Sequence, residues 1–272
     1  MFTTLLRSLR GRHEPAPQPT PPAASLEWVR FSGGPLAGRE MYIDLGVPTW
    51  KAMAGGDYEP FIFESLGAEG GYESKTVWDV GAFMGYHALA FAALVGPAGR
   101  VVTFEPNPYN VERIRLNLGR SPDLAERVQI VGDALSNEDG QTSFTFSPSV
   151  DTGNSSGSHI AGAFAPEVPS VYESFERITV NTVRADTLLR EGRVPAPSLI
   201  KMDVEGAEMM VLEGAVEMLS EVRPVMLIEV HHIVTMMQTQ ELLTGLGYEL
   251  KVVHVEEDSA SRCHVLAKPK VR

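Results

Sequence analysis

Two groups of residues in this chain have the types and spacing for chemistry, each at what reads as the tip of a strand. The first is Asp79-Val80-Gly81-Ala82-Phe83-Met84-Gly85, which follows the apolar Val77-Trp78; Glu105 stands 26 residues further on, at the end of Val101-Val102-Thr103-Phe104. Glycines here let backbone approach a ligand and let a helix start close to its strand. A dinucleotide fingerprint needs glycines at the first, third and sixth positions, so that a pyrophosphate can sit on the helix N-terminus. Counted from Gly81, the third and sixth positions are Phe83 and Tyr86, and the fingerprint fails. What remains is Asp-x-Gly-x-x-x-Gly, whose carboxylate welcomes a cationic group and repels a pyrophosphate. With Glu105 placed to accept both hydroxyls of a ribose, the pair points to S-adenosylmethionine. Asp79 taken alone would serve equally as a helix cap.

The second group is Lys201-Met202-Asp203-Val204-Glu205-Gly206-Ala207-Glu208, followed by Glu229-Val230-His231-His232 at the end of the next apolar run. Side chains two apart on a strand share a face, so Lys201 with Asp203, and Glu229 with His231, project together at the carboxyl edge. Burying such charges is costly unless they pair or serve a ligand, which predicts an active site here. A structural ion pair between Lys201 and Glu229 is compatible with that reading.

These residues need elements to hold them. Strand and helix alternate from Val77 to His231, which predicts an α/β chain with a mostly parallel, doubly wound sheet and helices on both faces. Tyr248 to Val255 and Arg262 to Ala267 read as an antiparallel C-terminal hairpin, and Leu26 to Leu45 as an N-terminal β-hairpin addition. The expected organisation is a disordered, basic and Pro-rich tail over 1–24, a hairpin and helical cover over 25–70, and the main domain over 71–272. Ligands of such sheets bind beyond the carboxyl ends of the strands, where Asp79, Glu105 and Asp133 converge. Asp133 is placed either to hydrogen-bond an adenine amino group or to serve its turn.

Regularity stops over about 140–183. A long polar loop inside a compact domain is usually functional or disordered, and this one is the candidate substrate lid, with Asn154 and His159 as candidate substrate residues. His159 is a possible base there or an exposed loop histidine without a role. The Gly55-Gly56-Asp57-Tyr58-Glu59-Pro60 loop either closes over the cofactor through Tyr58 or is a plain connector.

Of the 272 residues, 43% are hydrophobic, ample for a sizeable core. The 23 Lys and Arg against 35 Asp and Glu, a formal charge of −12, argue against a nucleic-acid partner. Cys263 is the only cysteine, so no internal disulfide forms, and no Cys/His cluster has zinc spacing. No run approaches a membrane span, and a cytoplasmic location is expected, with homo-oligomers possible.

With these residues in view, the sequence resembles the FkbM family of S-adenosylmethionine-dependent methyltransferases. Trp78-Asp79-Val80-Gly81-Ala82 with Gly85-Tyr86, Phe104-Glu105-Pro106-Asn107-Pro108, and the Leu199–Glu208 run followed by Glu229-Val230-His231 carry the likeness, over roughly 26–267. The resemblance implies a class I Rossmann-like methyltransferase fold and O-methylation of a sugar or natural-product hydroxyl, the acceptor being a small molecule or glycan. It further implies that Asp79, Gly81 and Gly85 hold the methionine part, Glu105 the ribose, and Asp133 with Ala134 the adenine. Asp203 would lie beside the sulfonium. Phe83 departs from the family's pattern, where a small or polar residue such as asparagine is usual. His231 is the expected base, with Asp203, His232 and His159 in reserve. Asp203 and Glu229 are potential metal ligands, but no third ligand is evident and no metal is expected. The rival readings are a non-catalytic S-adenosylmethionine-binding module, a methyltransferase acting on nitrogen or carbon, and a nucleotide-cofactor oxidoreductase of the same fold.

Overall fold

The computed structural model describes residues 25–146, 158–163, 176–255 and 262–271. The 1–24 tail, Asn154, most of the expected lid and the turn over 256–261 lie outside the described residues. The chain opens with a hairpin, β1 (Glu27–Arg30) and β2 (Glu40–Ile43), then helices α1 (Pro48–Gly55) and α2 (Pro60–Gly67). β3 (Thr76–Val80), α3 (Tyr86–Leu94), β4 (Arg100–Phe104), α4 (Pro108–Gly119), α5 (Pro122–Ala125) and β5 (Val128–Val131) form the first alternating half. The irregular stretch contributes β6 (Ala134–Leu135), β7 (Gly140–Phe146), β8 (His159–Ile160) and β9 (Glu176–Val183). The second half comprises α6 (Ala185–Arg190), β10 (Leu199–Met202), α7 (Glu208–Glu213), α8 (Val216–Glu221), β11 (Val225–Val230), α9 (Ile233–Gly245), β12 (Tyr248–Val255) and β13 (Cys263–Pro269).

Seven strands make one sheet in the order β12-β13-β11-β10-β3-β4-β5. β11, β10, β3, β4 and β5 run parallel, whereas β13 inserts antiparallel between β11 and β12, as the terminal hairpin predicts. The irregular stretch builds its own four-stranded sheet, β6-β9-β7-β8. Among the described residues no helix is long and apolar enough to cross a membrane.

Local chemistry sets the punctuation. Proline stands at the start of α1, α2, α4 and α5, where its missing N–H goes unmissed. Asn107 caps α4 by accepting from the Tyr109 N–H at 3.1 Å. Period-2 alternation then sorts the central strand: Val77 packs into one core with Leu89, Phe91, Phe31, Ile62 and Leu66, and Trp78 into the other with Ile200, Met226 and Leu219. Every residue of α3 from Tyr86 to Ala92 is buried, so this helix needs cover on both sides. The N-terminal hairpin and α2 supply it, and they share one core with the main sheet.

Candidate active site

Strand register brings the charges together. β3 lies between β10 and β4, and Asp79 pairs with Lys201 on one side and Thr103 on the other. The Lys201 ammonium, 4% exposed, lies 3.4 Å from Asp203 Oδ2, 3.4 Å from the Gly81 carbonyl oxygen and 3.9 Å from Asp79 Oδ1. Thr103 Oγ1 donates to Asp79 Oδ2 at 3.5 Å, while Asp79 Oδ1 has no hydrogen-bond partner among the described residues. Burial raises the Asp79 carboxyl above its ordinary range, with Lys201 opposing. Burial also acts to lower the Lys201 ammonium, but Asp203 and Asp79 outweigh it and hold the group protonated. Lys201 therefore pairs with these two carboxylates rather than with Glu229, because register, and not proximity along the sheet edge, sets its neighbours.

The glycines act differently from the simplest expectation. Gly81 has φ +83°, and a Cβ there would meet the Asp203 carbonyl oxygen at 1.7 Å, so its bareness makes room for the neighbouring chain. That close approach carries Asp203 over the cradle. Gly85, at φ +88°, faces Ile114 at 3.1 Å and permits α3 to pack on α4. Phe83, where the family pattern has asparagine, stands in left-handed backbone at φ +48°, a conformation asparagine adopts far more readily. Its N–H donates to Glu105 Oε2 at 2.8 Å, and the Asn107 N–H donates to Glu105 Oε1 at 2.9 Å. Burial pushes the Glu105 carboxyl up to about 7 despite these donors.

A cavity of about 430 Å³ opens at the carboxyl ends of β3, β4, β10 and β11. Of the residues expected from the sequence it brings together Tyr58, Gly81, Glu105, Ala134, His159, Asp203 and Glu229. Asp79, Gly85, Lys201, Asp133, His231 and His232 do not line it. Asp133, expected at the adenine, accepts from Arg193 Nη2 through its Oδ2 at 3.0 Å and from Asn181 Nδ2 through its Oδ1 at 3.4 Å. His232, a reserve base in the sequence reading, caps α9, its Nδ1 accepting from the Val234 N–H at 3.2 Å.

His231 is the main correction. It is 4% exposed, and its Nδ1–H donates to the fully buried Glu208 Oε1 at 2.6 Å. Its Nε2 faces Asp203 Oδ1 at 3.6 Å, Glu205 Oε2 at 3.5 Å and Glu229 Oε1 at 3.5 Å. Burial alone would lower the imidazole, but Glu208 and the three carboxylates raise it to about 10. A histidine held protonated by the carboxylates around it is no base for a substrate in the cavity.

Sequence reasoning left Glu59, Glu205, Glu208 and Arg262 without roles. Glu59, Glu205 and Arg262 line the cavity; Glu208 supports it from behind, also accepting from the Gly206 N–H at 3.0 Å. Glu205 and Gly206 sit at φ +50° and +93°, a consecutive left-handed pair that turns the chain after β10 and aims Glu205 back toward His231. The acidic run itself was the available signal. Glu59, at φ +46° just before Pro60, lies 3.4 Å from His87 Nε2, a contact no local pattern announces.

An open sheet of this strand order, with a cavity holding carboxylates at the carboxyl edge of its parallel strands, is the fold of the class I S-adenosylmethionine-dependent methyltransferases. Residues 79–250 match the Methyltransferase FkbM domain, and the chain belongs to that family. A crystal structure of Methyltransferase FkbM from Methylobacillus flagellatus KT is similar at TM-score 0.52 and 20% identity, over 83% of this chain and 56% of that one. The chain thus spans little more than half of that protein. Hexuronic acid methyltransferase AglP of Haloferax volcanii is 28% identical over 186 residues, 68% of each chain. The 2-O-methyltransferase NoeI of Sinorhizobium fredii is 30% identical over 152 residues, 54% of this chain and 60% of that one.

Proposed function

We propose that this methyltransferase uses S-adenosylmethionine to methylate a hydroxyl of a sugar or natural product. The observation that carries the reading is the cavity in which Gly81, Phe83 and Glu105 of the cradle meet Asp203, Glu205 and Glu229. A donor cation and a neutral polar acceptor fit those walls together. The wall carboxylates Glu105, Asp203, Glu205 and Glu229 also fit a ligand that carries both an ammonium and a sulfonium. Bound there, S-adenosylmethionine supplies a methyl carbon already activated by positive sulfur.

The chain's own work is positioning and charge. Glu105 accepts the ribose hydroxyls, and Lys201 holds Asp203 in place from behind. Alignment of the acceptor oxygen with the methyl carbon supplies most of the rate, and a wall carboxylate takes the hydroxyl proton as the C–O bond forms and the bonding pair returns to sulfur. Glu59, Asp203, Glu205 and Glu229 stand against Arg262 in the wall, a balance that repels an anionic acceptor and admits a neutral hydroxyl. The 2-O-methylating relative supports the same acceptor class.

Calorimetric titration with S-adenosylmethionine and separately with NAD tests the reading. Saturable binding of the first alone, followed by transfer of labelled methyl groups to a panel of glycosides and polyketides, is the expected result. Binding of NAD alone overturns it.

Affinity for S-adenosylmethionine is expected to rise as pH passes through about 7. Glu105 is held neutral below that value and accepts ribose hydroxyls best once ionised. Glu105→Gln is expected to flatten the profile and weaken binding about 10- to 100-fold, the loss of a charge-assisted hydrogen bond of about 1.5–3 kcal/mol. A wild-type affinity that does not change between pH 5.5 and pH 8 would exclude this role, as would an unweakened variant.

A further inference from the structure

We propose that a divalent cation, bound by Asp203, Glu205 and His231 at the edge of the cavity, binds the acceptor hydroxyl during methyl transfer. The proposal rests on the methyltransferase reading for its role, but not for its site. Asp203, Glu205 and His231 place ligand atoms all within 4.8 Å of one another, and Glu229 Oε1 lies 3.5 Å from the same imidazole nitrogen. Donors about 2.1 Å from one ion stand roughly 3.0–3.4 Å apart, so the 3.5–3.6 Å from the imidazole nitrogen to Asp203 and Glu205 needs only a small contraction.

Two further features point to a ligand rather than to a chance acidic cluster. His231 is almost fully buried, and its Nε2 is aimed at three carboxylate oxygens 3.5–3.6 Å away. Its other nitrogen is held at 2.6 Å by Glu208, itself fully buried. A carboxylate that fixes one imidazole nitrogen and presents the other is the usual support of a metal-binding histidine. The second feature is Asp203, whose two oxygens are used differently. Lys201 engages Oδ2, while Oδ1 is buried, has no hydrogen-bond partner and faces His231 Nε2. Lys201 thereby orients the ligand and leaves Oδ1 for the ion.

Two carboxylates and one imidazole suit an ion of the manganese or magnesium type, which keeps water in its remaining positions. The acceptor hydroxyl replaces one water, and the ion lowers its pKa. The released proton passes to Glu59, a wall carboxylate outside the ligand set, as the C–O bond forms and the C–S bond breaks.

The test is Mn²⁺ binding to the full-length, metal-stripped protein without S-adenosylmethionine or acceptor, read by electron paramagnetic resonance. The expected result is one Mn²⁺ per chain, with spin-echo modulation from a coupled ¹⁴N nucleus. Glu205→Gln is expected to weaken binding at least tenfold, and Glu208→Gln, which reaches the ion only through the imidazole, about 10- to 100-fold. His231→Gln removes the ¹⁴N signal; circular dichroism checks each variant's fold, and Glu205→Gln, at the cavity wall, serves if the buried variants unfold. No binding at millimolar Mn²⁺ overturns the proposal, as does binding without ¹⁴N coupling that Glu205→Gln leaves unchanged. A parallel S-adenosylmethionine titration separates the two readings. Cofactor binding without Mn²⁺ binding removes the metal and leaves the methyltransferase, whereas Mn²⁺ binding without cofactor binding supports the site and removes its assigned role.

Discussion

Lys201→Met is expected to abolish methyl transfer and to cost the fold about 3–5 kcal/mol, the range for removing one partner of a buried ion pair. Methionine nearly matches the lysine stem in volume, so packing survives and the charge alone is lost. Asp79 is fully buried and Asp203 Oδ1 is also out of solvent, so both carboxylates then face burial without their cation. Asp79 can respond by staying protonated, a form burial already favours. Asp203 is held below the ordinary carboxylate range: burial opposes this, and Lys201 and His231 prevail. A denaturant titration should show a lower midpoint with an unchanged slope, since the surface exposed on unfolding stays the same. Adding Asp79→Asn to Lys201→Met is expected to recover part of the stability and none of the activity. A midpoint for Lys201→Met equal to that of the wild type would sink this account of the cluster.

Gly81→Ala is the second large effect. Two penalties combine there: a left-handed backbone at φ +83°, and a methyl group 1.7 Å from the Asp203 carbonyl oxygen. The obstacle is backbone, so no rotamer change relieves it, and β10 must move away from β3 at the very point where the cavity is formed. The expected cost is about 3 kcal/mol or more, with loss of S-adenosylmethionine binding. Gly38→Ala is the control. Its φ is +81°, but nothing lies within 4 Å of the added carbon, so only the conformational strain of about 1–2 kcal/mol applies. Equal losses in the two variants, measured by thermal unfolding, would show that strand approach is not what Gly81 serves.

Much of this was legible in the chain. Val77-Trp78 before a glycine turn, strand and helix in alternation, and polar residues at the strand ends are local patterns, and local patterns determine which elements form. The parallel sheet and the antiparallel terminal hairpin followed from them, whereas of Asp79, Glu105 and Asp133, expected to converge, only Glu105 lines the cavity. The family followed too, because the Lys201–Glu208 run is specific in itself. The roles of side chains just beyond the strand tips were not legible. Asp133 turns to Arg193, His232 caps its own helix, and Glu59 reaches the cavity from an N-terminal loop, since each depends on a neighbour far away in sequence. His231 illustrates the difference most clearly. Its spacing from Glu229 put it at the sheet's carboxyl edge, as found, but three carboxylates from two strand ends and a buried Glu208 surround it only in the folded chain. Sequence determined which chemical groups arrive at the edge, because period and turn chemistry are properties of short segments. Tertiary structure alone decided which of them face the ligand and in what charge state, because burial and Coulomb interactions depend on distances that close only when the strands pack side by side.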